Sequence, residues 1–212
     1  MTKKLLHKQV EKGEKSMKQI SNSEVLEKVT LTLINKKNVY GNEVIKWDFT
    51  NELAIICHYP IDEELHNMID ENELKEIGIT KDELFTKAMN NTINKRPLKI
   101  EPFKSALGPD FPLYGFEDIW QILSSEEGFY GATCIIYPEV LDKYPDETIF
   151  IPSSIHEWIV VPPLPDDYED KDSAYKNFTQ MVRMVNASCL HESDILADYS
   201  FVKKNGKLVA AG

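Results

Sequence analysis

The chain has 212 residues, 42% of them hydrophobic and 10% aromatic, which suffices for a buried core and excludes global disorder. Its formal net charge is −11, although six lysines give the first twenty residues a local +4. An acidic body of this kind repels nucleic-acid phosphate and anionic membrane surfaces, so the partner class it suits is a basic protein surface; solubility alone also accounts for such a charge.

Three widely spaced cysteines without a CxxC pair fit a reduced, cytoplasmic setting. No apolar core follows the Lys-rich start, so no secretory signal is expected. The longest apolar runs, LAIIC and WIVV, are far too short to span a bilayer.

Residues 1–20 read as a basic leader or docking helix, with a thin stripe of Leu6, Val10, Met17 and Ile20 broken by Gly13. A mid-helix glycine costs about 1 kcal/mol against alanine, which favours the leader. Ser21-Asn22-Ser23-Glu24 is a capping signal and predicts a helix over 24–38. Residues 52–59 (ELAIICHY) predict a strand ended by Pro60. Residues 62–94 are helical in pattern, with Thr80-Lys81-Asp82-Glu83 as a capping box and Leu84, Phe85, Ala88 and Met89 on the inner face. The Pro and Gly cluster from 97 to 112 predicts an internal linker.

Beyond it strand signals dominate. Segments 116–123 and 129–137 flank the polar turn Ser124-Ser125-Glu126-Glu127-Gly128 and predict an antiparallel hairpin. Pro138 opens a short helix. Segments 148–151 and 155–161 form a second strand pair, stopped by Pro162, Pro163 and Pro165. Residues 166–172 form an acidic solvated loop. A helix follows over 173–186, with Tyr175, Phe178, Val182 and Val185 at helical spacing. Asn205-Gly206 signals a type I′ hairpin turn. The predicted fold is α+β: an antiparallel sheet with helices packed on it, plus a helix-rich N-terminal half. The units are the leader, a mixed helix-rich subdomain at 21–96 and a sheet domain at 113–212, the last two separate or fused in one compact body.

Three segments carry a resemblance: G-A-x-C-I-I-Y-P-x-V-L from Gly131, I-P-S-S-I-H-E-x-I-x-V-P from Ile151, and M-V-x-x-V-N-A from Met181. Together they resemble an uncharacterised family, a domain of unknown function found in gut Firmicutes and their mobile elements. Weaker matches at 31–38, 53–55 and 79–92 extend the likeness over most of 25–200. Typical members carry a longer N-terminal region, here replaced by the short basic leader, and a smaller acidic loop. The resemblance implies a fold and a mobile-element context, and no established activity.

Ser153, Ser154, His156 and Glu157 are where chemically capable side chains crowd together. Strand alternation puts His156 with Trp158 and Val160, and Glu157 with Ile155, Ile159 and Val161. Both faces are apolar, which predicts a central strand covered on each side, entered through a turn at 152–154. Glu157 then needs partners, and Ser153, Ser154, turn amides or Arg183 are available. A Ser–His–acid hydrolase needs its base within about 3 Å of the nucleophile and an oxyanion hole. No G-x-S-x-G elbow occurs and His156 and Glu157 diverge, so a hydrogen-bonded structural knot is the stronger expectation and no catalytic set is assigned. Cys57-His58, Cys189-x-His191, His66 and His156 lack zinc spacing, so no metal is expected. Without a glycine-rich phosphate loop no nucleotide cofactor is expected either.

These readings lead to a non-enzymatic protein-binding factor, an accessory or anti-defence protein of a mobile element or phage (of the anti-CRISPR or anti-restriction kind). Its acidic segments would occupy a basic surface that normally holds nucleic acid. The expected contacts are Asp166, Asp167, Glu169, Asp170 and Asp172, with Asp62, Glu63, Glu64, Asp70 and Glu71 on a second, helical face. The alternative is a small hydrolase or nuclease-like enzyme using His156 and Glu157.

Overall fold

In the computed structural model, residues 20–38, 44–61, 66–107 and 119–211 are described. Most of the leader, Asp62, Glu63, Glu64 and the end of the expected linker therefore lie outside the described residues. The capping box at Ser21 starts α1 (Asn22–Lys28), its hydroxyl accepting the Glu24 amide while the Glu24 carboxylate accepts the Ser21 amide. The helix does not continue to 38. Val29 turns extended, and TLTLIN forms β1 (Thr30–Asn35), buried at every position. β-Branched residues in that run, and antiparallel pairing with β3 (Leu53–Pro60), override its helical periodicity.

β2 (Lys46–Asp48) and β4 (His66–Met68) also pair with β3, completing a four-stranded antiparallel sheet. β4 corrects the expectation of helix throughout 62–94, because His66, Asn67 and Met68 find ladder partners on β3. Helix follows only in α2 (Glu71–Ile77), ended by Gly78 in the left-handed conformation, and α3 (Lys81–Lys95), opened by the Thr80 capping box. A sheet at the centre of the N-terminal half is what the helix-rich reading missed.

The second sheet has six antiparallel strands in the order β10-β9-β7-β8-β6-β5. Its first member, β5 (Leu98–Pro102), lies within the supposed linker and pairs with β6 (Gln121–Ser125); α4 (Phe103–Leu107) follows β5 directly. The hairpin expected around 124–128 does not form. β6 pairs with β5 and β8, while 131–136 winds into a 3-10 helix after Tyr130 takes a left-handed backbone at φ 51°. The short helix after Pro138 is a turn and a 3-10 segment at Leu141–Lys143.

β7 (Ile149–Ser154) and β8 (Glu157–Val161) form the expected strand pair, joined at Ile155-His156 rather than at 152–154, with a register shift between Pro152 and Ser154. Their alternation is two-faced: Phe150, Trp158 and Val160 enter the larger core, while Ile149, Ile151 and Val161 enter a second one. α5 (Lys171–Cys189) covers that second face with Tyr175, Phe178, Met181 and Val182. β9 (Phe201–Lys204) and β10 (Lys207–Ala210) close on Asn205-Gly206, both at positive φ as a type I′ turn requires.

One core cluster runs from Val25 through Ile55, Leu84 and Ala132 to Trp158 and Phe201, drawing on both sheets. The free edge of β1 explains how they join. The Leu31 amide donates to the Thr92 hydroxyl at 2.8 Å and the Leu33 amide to the Thr133 hydroxyl at 3.0 Å, while Arg96 donates to the Leu31 carbonyl at 2.9 Å. Side chains from α3, its C-cap and the 3-10 helix thus satisfy a buried strand edge. Among the described residues no helix is long and apolar enough to cross a membrane.

Candidate functional site

The β7–β8 turn gathers the four side chains that sequence singled out, and most of their capacity goes to holding the turn. Ser153 donates to the Glu157 carboxylate at 3.1 Å, and the Ser154 hydroxyl accepts the His156 amide at 3.0 Å. The His156 Nδ1 accepts the Tyr130 amide at 3.1 Å, and the Ser124 hydroxyl donates to the His156 carbonyl at 3.0 Å. Glu157 takes its partner from Ser153, whereas Arg183 donates to the Asp198 carbonyl on the far side of α5. Neither Ser153 nor Ser154 is bonded to the His156 ring, so the base–nucleophile contact of an acyl-transfer site is not assembled here. His156 sits in the turn, not in the strand.

The segment from Gly131 meets the same junction, and the segment from Met181 is anchored elsewhere. The Ala132 carbonyl accepts the Trp158 indole N–H at 2.8 Å, and the Tyr137 hydroxyl donates to the Arg96 carbonyl at 2.8 Å. Asn186, buried on α5, donates to the Ala197 carbonyl at 2.9 Å. The first two segments therefore form the seam of the fold, and the third holds α5 against the second sheet.

A row of rings crosses the junction. His58 lies 4.9 Å from His66 and 5.9 Å from Tyr130, centre to centre; Tyr130 lies 6.0 Å from His156, and Phe129 5.8 Å from His156. His58 has both nitrogens engaged, Nε2 with the Thr32 hydroxyl at 2.6 Å and Nδ1 with the His66 Nδ1 at 2.8 Å. Two Nδ1 atoms that close need one proton between them. Burial first, then the charge of Arg96, holds His58 far below the usual histidine range, so His58 is neutral at pH 7. Arg96 stacks on Tyr130 with its Cζ 5.2 Å from the ring centre.

Sequence reasoning named His58 and His66 only as scattered metal candidates, and His156 both as one of these and as a candidate base. The structure brings His58 and His66 together and puts Tyr130 between them and His156. Among the described residues no group of three or more His, Cys, Asp or Glu could hold a metal ion. Cys57 and Cys134 are buried apolar thiols with pKa values raised by desolvation, and Cys189 is exposed. Tyr130 and Arg96 were missed. The available signal was that Arg96 is one of only two arginines and closes a helix directly before Pro97.

The acidic segment stands apart from this seam. Asp166, Asp167, Glu169 and Asp170 are exposed around exposed Tyr168, and Asp172 is exposed in the first turn of α5. Asp170 is the N-cap of α5, its carboxylate accepting the Ser173 amide at 2.9 Å and the Ser173 hydroxyl at 2.6 Å. Those bonds, first of all the Ser173 hydroxyl, lower its pKa. Lys171 lies 3.2 Å from Glu147 and 3.7 Å from Asp166, tying a residue that sequence reasoning did not include to the same face. Of the expected second acidic face, Asp70 and Glu71 are among the described residues. Asp70 caps α2 by accepting the Asn72 and Glu73 amides, and Glu71 is exposed beside it.

A family model described as a family of unknown function (DUF5688) matches residues 2–202, and the chain belongs to that family. No curated protein and no solved structure matches the chain.

Proposed function

We propose that this member of a family without an assigned activity is a non-enzymatic protein-binding factor. Its acidic face, made of Asp166, Asp167, Glu169 and Asp172 with Glu147 beside them, covers a basic surface on a partner of the kind that normally holds nucleic acid. The observation that supports this reading is the crowding of those exposed carboxylates around Lys171. Charges this close add their fields within one Debye length, about 8 Å at physiological ionic strength. Tyr168, 44% exposed in the middle of the stretch, supplies the kind of aromatic anchor that dominates interface energetics. Asp170 and Asp70 are committed to helix caps and contribute charge more than contact.

An accessory or anti-defence role in a mobile element, acting in the cytoplasm, belongs to the same proposal, motivated by the resemblance and by the charge. The test is binding of the intact chain to a Lys/Arg-rich peptide over a salt series. Affinity falls as salt rises if the face carries the interaction. Binding that ignores salt contradicts the proposal.

A further inference from the structure

We infer that Arg96, Tyr130 and His156 form a binding site for a tetrahedral oxyanion, a phosphate or phosphate monoester, at the seam between the two sheets. The inference is separate from the acidic face and does not depend on it.

Arg96 is only 8% exposed, and no described carboxylate lies within ion-pair distance of it. In a chain of net charge −11, a near-buried guanidinium without a carboxylate is conspicuous, because an uncompensated buried charge is costly. One of its nitrogens is committed: Nη1 donates to the Leu31 carbonyl at 2.9 Å, with the Thr32 hydroxyl further off at 3.5 Å. Its remaining N–H groups, the Tyr130 hydroxyl and the His156 Nε2 make no hydrogen bond to the described residues. None of them is a fully enclosed unsatisfied atom either, since Thr148 Oγ1 holds that place alone among the described residues. They are unbonded donors on side chains that neighbour one another through the Tyr130 ring.

The locus is built from both sides. Arg96 stacks on Tyr130, and Tyr130 lies 6.0 Å from the His156 ring. Because the His156 Nδ1 accepts the Tyr130 amide, the proton of its neutral form sits on Nε2, which makes Nε2 a donor. Tyr130 is held there by a left-handed backbone, φ 51° and ψ 28°, that is unfavourable for a bulky residue. Guanidinium, phenol and imidazole donors from three elements match an anion with three or more acceptor oxygens better than a planar carboxylate. Phe129, 68% exposed and edge-on to His156, offers an apolar contact for a group esterified to the phosphate. The nearest acidic influences are Glu127 on Arg96 and Asp194 on Tyr130; neither carboxylate is bonded to those side chains.

The test is to follow the histidine imidazole resonances of the intact chain by NMR while titrating inorganic phosphate, phenyl phosphate and acetate. Phosphate should shift His156 with a roughly millimolar Kd, phenyl phosphate should bind more tightly, and acetate should do neither. Arg96→Lys should weaken phosphate about tenfold, and Tyr130→Phe, which keeps the ring packing, should weaken it several-fold. A His156 signal unmoved by phosphate overturns the site. So does acetate acting as strongly as phosphate, or a folded Tyr130→Phe chain that binds phosphate unchanged.

Discussion

Gly131 has no space for a side chain: a Cβ there would overlap the His156 carbonyl, the Ser124 hydroxyl and the Ser125 amide. Two of those three groups are backbone, so little can give way, and Gly131→Ala should cost about 3 kcal/mol, read as a lowered urea midpoint. An unchanged midpoint would mean that the seam is far looser than described. His58 makes a second prediction, on pH. Its folded pKa lies well below the unfolded value of about 6.5, so the unfolded chain takes up a proton that the folded chain refuses. Stability is complete above that value and falls as pH drops through it, by up to about 1.4 kcal/mol per pH unit for one proton. Asp48, Glu83 and Asp170 have lowered pKa values and lose their contributions only in the carboxylate range, about pH 4; Glu73, raised by burial, acts in the opposite direction from the free carboxylate value upward. The window around pH 6.5 is therefore where His58 weighs most. His58→Gln should flatten the urea-midpoint profile in that window, and an unflattened profile would place the titration elsewhere. The polar character of Ser153–Glu157 was legible in sequence, but its purpose was not. Strand alternation cannot show that His156 is in a turn, or that Tyr130, distant in sequence, uses its ring nitrogen.

At the scale of elements, local chemistry and long-range pairing divide the chain. The capping boxes at Ser21 and Thr80, the Asn205-Gly206 turn and the ELAIICHY strand were legible because each is decided within a few residues. β1, β4 and β5 were not, because each is a strand only through a partner: β3 for the first two and β6 for the third. The 3-10 helix at 131–136 was read as strand for the same reason. Its apolar residues are buried by packing beneath β6 and β8, not by pleating beside them. The sealed edge of β1 is where element and packing meet. Thr92, fully buried, accepts the Leu31 amide and donates to the Ala88 carbonyl. Thr92→Val keeps the shape and strands that amide, so it should cost roughly 1–3 kcal/mol in chemical denaturation. A neutral substitution would show that the edge is satisfied in some other way.

For the whole molecule, the resemblance segments and the acidic face do different work. The first two segments lie in the core that both sheets share, the third packs α5 on the second cluster, and the acidic face lies outside on the entry to α5. The charge of the acidic stretch was legible at once. That Glu147 joins it, and that Asp170 and Asp70 are spent on caps, needed the fold. A local acidic face and mere net charge differ in their effect on binding, and the most direct measurement separates them. It compares peptide binding by the chain carrying Asp166→Asn, Asp167→Asn and Glu169→Gln with binding by a chain carrying Glu27→Gln, Glu76→Gln and Glu192→Gln. Both remove three charges, all at exposed positions. Exposed ion pairs are worth roughly 0.5 kcal/mol each, so losing the face should weaken the Lys/Arg-rich peptide about tenfold at low salt. The control set should change it by less than about twofold. Equal weakening by the two sets would contradict the account and leave net charge alone as the explanation.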